Sequence, residues 1–200
     1  MKTKLLNKNI CMTILICAFI YGWVLPFMWG NNPASETGTL SLLCEERKLF
    51  FWIWGILTSG GLVLNTQYMY NKFGLKNKFL DVLCVLELVS MCGVALTLNH
   101  SIDDWNLKRL IHWIATGCFI AFAVASIALF FMINRRKHKK FDLLTLCTFL
   151  ILATFLIIFA TVGKSALMEV IPLALIQIFL FAVNFTSWIN AEESVKAENK

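Results

Sequence analysis

Charge is scarce in this chain. Asp, Glu, Lys and Arg make up 15% of its 200 residues, against about 25% in an ordinary soluble domain. The few charges cluster in short loops, which leaves no stretch able to form a soluble domain. Metal-binding patterns are missing too. No CxxC pair and no Cys/His metal spacing occurs, so neither a metal site nor a disulfide framework is expected. Six of the seven cysteines fall within or beside apolar runs, and Cys44, the one in a loop, has no loop partner. G-x-S-x-G, P-loop, H-E-x-x-H and paired-Asp motifs are absent, so no catalytic residue and no cofactor is assigned. The first apolar run follows Lys2, Lys4 and Lys8 as in a signal peptide, yet it is long for one and no A-x-A site follows it. It reads as a retained anchor. The C-terminus Ala197-Glu198-Asn199-Lys200 carries no prenylation or retention signal.

What the chain does have is apolar length. Hydrophobic residues make up 58% of it, and the mean hydropathy is +0.71. A spanning helix needs roughly 20 apolar residues. Six such runs fit: 10–29, 49–70, 79–98, 110–134, 141–162 and 166–189. The expected fold is all-α: a polytopic membrane protein, one six-transmembrane-helix bundle over 1–189, with a tail at 190–200 expected to be disordered. Arg135-Arg136-Lys137-His138-Lys139-Lys140 is the densest positive run, and such turns stay on the cytoplasmic side. Of the 18 Lys and Arg, 13 then fall on that side and five in the opposite loops: Arg47, Lys48, Lys108, Arg109 and Lys164. Both termini are cytoplasmic in this arrangement. It also accounts for the net charge of +6. Nucleic acid is not an expected partner; membrane lipids are. Protein partners or a homo-oligomer are left open.

Lipid and a protein interior are both apolar, so small and polar residues, rather than hydrophobicity, mark packed helix faces. The fourth span carries Gly117, Ala121, Ala125 and Ala128 on one stripe and His112, Thr116, Ala123 and Ser126 nearly opposite. Two packing stripes place it at the centre of the bundle. Glu169, Gln177, Asn184 and Ser187 of the sixth span fall within a sector of roughly 80°, which should face inward. Glu87 lies ~12 Å inside the third span, near mid-bilayer. Two readings stand there: a functional carboxyl group, or one hydrogen-bonded to partners such as Ser59, Asn65 or Thr97. His112 and Glu169 lie about one turn inside the non-cytoplasmic boundary, near Glu36, Asp103 and Asp104. Together they could bind a lipid headgroup or move protons, or simply lock spans four and six together.

The loop after the first span reads Pro33-Ala34-Ser35-Glu36-Thr37-Gly38-Thr39. It resembles the P-x-I-S-[DE]-T-G-T segment of the Frag/DRAM/Sfk-type six-span family, which includes the damage-regulated autophagy modulators and the GPI-lipid remodelling proteins. One residue is missing before Ser35. His112 matches that family's histidine at the start of span four, and Glu169 its acidic residue at the start of span six, with Val170 in place of an aromatic. The resemblance implies a role in lipid handling, through remodelling, lipid distribution or regulation of autophagy and lysosomal membranes. It also implies that His112, Glu36 and Glu169 gather on the non-cytoplasmic side. A bacterial family of six-span proteins shares a similar layout, which would place the chain in the cell membrane instead. The competing functions are a small proton-coupled transporter using Glu87, an intramembrane lipid-modifying enzyme for which no nucleophile can be named, and a non-catalytic scaffold.

Overall fold

The computed structural model describes residues 7–30, 32–34, 39–98, 107–136, 139–162 and 165–189. Their regular structure is entirely helical, with no strand among the described residues. The long helices are α1 (Lys8–Val24), α3 (Lys48–Lys72), α4 (Lys78–Leu96), α5 (Leu107–Asn134), α6 (Lys139–Val162) and α7 (Ala166–Phe185). A single-turn helix, α2 (Leu40–Leu43), and two 3-10 turns, Leu25–Gly30 and Glu45–Arg47, fill the connection between α1 and α3. Five described segments are long and apolar enough to cross a membrane: Lys8–Met28, Lys48–Lys72, Lys78–Leu96, Leu107–Asn134 and Ala166–Phe185. The chain is thus a helical membrane protein. α6 adds a further helix of 24 residues.

The helix ends follow local chemistry. Asn7, Asn77 and Ser165 sit before α1, α4 and α7, and their side chains accept from Asn9, Phe79 and Met168 backbone N–H groups. Each such cap occupies a donor that the first turn cannot satisfy. Pro26 has no N–H to return to the Gly22 carbonyl, and the chain tightens into a 3-10 turn there. α3 stops at Gly74, whose φ of 68° is the left-handed conformation that a side chain disfavours. Leu75 N–H then returns to Tyr70 O and Gly74 N–H to Asn71 O, the pairing that closes a helix through an αL residue. α7 ends at Phe185, four residues short of the predicted 189. Thr186 turns extended and its hydroxyl donates to Ala182 O.

α3 is the hub. It packs against α1, α4, α5 and α7, and the ring closes through α4–α5, α5–α6, α6–α7 and α7–α1 contacts. This corrects the expectation that the fourth span, α5, is central. α5 has neighbours on two sides, but its Gly117 and Ala121 are exposed, and a side chain added at Gly117 would meet nothing. The His112, Thr116, Ala123, Ser126 stripe packs more fully, with three of its four members buried, whereas of the other stripe only Ala128 is buried. Close helix approach happens elsewhere. A Cβ at Gly61 of α3 would lie 3.3 Å from Ala18 Cβ of α1, and one at Gly93 of α4 would lie 3.1 Å from Ala115 Cβ of α5.

At the end carrying the basic turn, aromatic rings clamp α3, α5 and α6. Phe130 lies 5.5 Å from Tyr70, 5.6 Å from Phe73 and 5.7 Å from Phe141, centroid to centroid. Tyr70 OH donates to Ser126 O at 2.7 Å. A polar net joins α1, α3 and α7 nearby. Asn65 Nδ2 donates to Cys11 O and Gly61 O, and Asn184 Nδ2 donates to Asn65 O. Among apolar tails, such bonds and close packing are what hold helices together, because burial of apolar surface adds little.

Candidate functional site

Glu36, Asp103 and Asp104 lie outside the described residues. His112 is buried and turns to the C-terminal end of α4, with Nδ1 3.2 Å from Val94 O and 3.2 Å from Thr97 Oγ1. A carbonyl can only accept, so Nδ1 carries the hydrogen. The Thr97 hydroxyl donates to Gly93 O, which leaves its lone pairs facing the imidazole. His112 thereby satisfies one carbonyl, Val94 O, that the last turn of α4 leaves over.

Glu169 begins α7 and reaches α2. Its Oε2 accepts the Leu40 N–H at 3.0 Å, capping the short helix from another element. Leu167 N–H donates to Pro33 O at 3.3 Å, so the α1–α3 connection is held over this end of α7. The described contacts therefore tie His112 to α4 and Glu169 to α2. A narrow apolar cleft between α5, α6 and α7 runs below Glu169, with a volume of about 20 Å³. That is room for one water, which needs roughly 10–15 Å³.

Beside this contact Cys44 is fully buried. Burial pushes its thiol up to about 11, the Glu169 carboxylate adds to the shift, and Arg47 opposes it. Its own N–H returns to Leu40 O, the base of α2. Glu169→Ala removes the Leu40 acceptor and a negative charge from the thiol's surroundings, and both changes favour reaction. Alkylation of Cys44 by a soluble maleimide at neutral pH is expected to quicken about tenfold, since a loss of about 1.4 kcal/mol in local opening free energy scales that way. An unchanged rate would mean that Glu169 does not hold α2 closed.

A second cleft lies between α1 and α7. It holds about 180 Å³ and is lined by Leu15, Ile16, Phe19, Gln177, Ile178 and Phe181. Ile16, Ile178 and Phe181 form an exposed rim, while Leu15 and Gln177 are buried at the floor. Gln177 is 4% exposed and also borders a smaller cavity by Trp54 and Thr58, between α1, α3 and α7. The surface lining the α1–α7 cleft is apolar throughout. The inward placement expected for Gln177 and Asn184 holds, since both are buried. Ser187 is exposed and lies past the helix end.

Glu87 is fully buried, and neither carboxyl oxygen has a hydrogen-bond partner. None of the expected Ser59, Asn65 and Thr97 side chains bonds it: Ser59 donates to Gly55 O, Asn65 Nδ2 to Cys11 O and Gly61 O, and Thr97 to Gly93 O, while Asn65 Oδ1 is itself buried without a partner. Sequence reasoning missed Lys72, whose Nζ donates to Val183 O at 2.6 Å and Asn184 O at 3.1 Å, closing the end of α7. A lysine at the end of an apolar run reads only as a loop charge, so nothing in the sequence marks its partner. No protein-family model matches the chain, and no curated protein and no solved structure matches it. The resemblance to the Frag/DRAM/Sfk-type family therefore rests on the residues quoted for it above.

Proposed function

We propose that this protein is a six-span membrane protein, termini cytoplasmic, that holds a membrane lipid chain between α1 and α7 and acts in lipid handling. The observation that carries this reading is the apolar groove between α1 and α7, floored by Leu15 and the stem of Gln177. Its volume suits a stretch of acyl chain. Its rim is built from Ile and Phe side chains, whereas helix–helix seams in membranes need small residues for close backbone approach. A chain from the bilayer fits that rim better than a second helix does. Alternation of the long helices supports the six-span count: Gly55 meets Met91, Gly93 meets Ala115, and Phe130 meets Phe141. The family resemblance points the same way, toward lipid remodelling or distribution and the regulation of autophagy or lysosomal membranes. In a eukaryotic cell this reading places the chain in an endomembrane or the plasma membrane.

This reading rests on the groove rather than on the headgroup site expected at His112 and Glu169, whose side chains also serve α4 and α2. Native mass spectrometry of protein released gently from detergent tests it. Wild type is expected to keep one lipid that Gln177→Phe, which fills the groove, loses at least tenfold more readily. The variant should keep its thermal midpoint. Equal lipid retention, or a change in oligomeric state with no change in lipid, would count against the reading.

A further inference from the structure

We propose that Glu87 is an intramembrane proton-binding site whose proton keeps α4 seated on α3, so that releasing it opens this seam to water. Glu87 lies one turn from Cys84 and one from Met91, on the buried face of α4. Met91 packs on Gly55 of α3, and Cys84 lies against Gln67 and Tyr70. Glu87 therefore faces the stretch of α3 between Gly55 and Gln67. That stretch carries Thr66, also fully buried and with no partner for its hydroxyl oxygen. The clefts between α1 and α7 and between α5, α6 and α7 are not lined by Glu87.

A sealed, unpaired carboxylate is costly in a membrane interior, and polar groups there are paired or functional. No cationic side chain is described opposite Glu87. On α4 the titratable neighbours are Cys84 and Asp81, the latter bonded to Gln67. On α3 they are Tyr70, which donates to Ser126 O, and Lys72, which serves the end of α7. On α5 the buried residues Phe119, Ala123 and Ser126 are uncharged, and His112 is bonded a further two turns along α4. A proton is the one ligand that neutralises the group without needing space. The exchange balances simply: the acid gives one proton to entering water and leaves a carboxylate that water then hydrates. The closed seam binds the proton and the open seam does not. Rising pH therefore favours opening, by at most tenfold per pH unit for one proton.

The test uses the full chain in phospholipid nanodiscs. Two readouts are taken for wild type and Glu87→Gln, which keeps the shape and removes the titration. Infrared spectra should show a protonated-carboxyl band in wild type that the variant lacks. Hydrogen-exchange protection of α4, corrected for intrinsic rate at each pH, should fall as pH rises in wild type and stay flat in the variant. Absence of a band difference overturns the site. Parallel loss of protection in both proteins overturns its link to the seam. Protection that follows sodium or potassium concentration at constant pH overturns the proton as ligand. The lipid-retention result for Gln177→Phe is independent of all three.

Discussion

Gly61→Leu is expected to force α1 away from α3 and to lower stability by about 3 kcal/mol, the upper part of the usual range for overpacking. A Cβ at Gly61 would already lie 3.3 Å from Ala18 Cβ and 3.7 Å from the Ile14 carbonyl oxygen. A backbone oxygen cannot turn aside, so the helix itself must move. The bond from Asn65 Nδ2 to Cys11 O, at 3.0 Å one turn along, goes with it. Gly60→Leu is the internal control. Nothing lies within 4 Å of its added Cβ, so its change should stay within about 0.5 kcal/mol. Unfolding of both variants in mixed micelles, followed by helix content, measures the difference. Equal losses would mean that α1 does not pack on α3 through Gly61.

Lys72→Met should cost about 2 kcal/mol. The ammonium group donates to two of the final carbonyls of α7. Hydrogen bonds to a charged group contribute about 1.5–3 kcal/mol, and a cation at a helix C-terminus adds to this. The site is only part-buried, so the lower part of the combined range applies. Lys76→Met removes the same charge from an exposed position in the following turn and should change stability little. A similar loss in both variants would assign the effect to net charge rather than to the α3–α7 tie.

Much of the fold is legible in the sequence because apolar runs end where charges or caps begin. The predicted starts at 49, 79, 141 and 166 lie within two residues of α3, α4, α6 and α7. Which helix touches which is far less legible. Hydrophobicity is silent when lipid and protein interior are alike, and a small residue marks a contact only where a neighbour exists. The Gly117–Ala121 stripe of α5 looks like a seam and faces outward, whereas Gly55 and Gly61 of α3 mark true contacts. Burial of Gln177, Asn184 and Glu87 is readable because a polar group in hydrocarbon has few other places to go. Their partners are not, because these depend on how far neighbouring helices slide along one another. Glu169 illustrates this: an acid in a first turn reads as a cap for its own helix, yet it caps α2, 129 residues earlier in the chain.

The proposed lipid chain between α1 and α7 is open to direct labelling. A phospholipid carrying a photoactivatable diazirine in mid-chain, reconstituted with wild type, irradiated and mapped by peptide mass spectrometry, tests it most directly. The account predicts adducts concentrated on 15–19 and 177–181 over other exposed faces, such as Leu146, Phe149 and Leu150 of α6, and their loss in Gln177→Phe. Even labelling of all outward faces, unchanged in that variant, would contradict it.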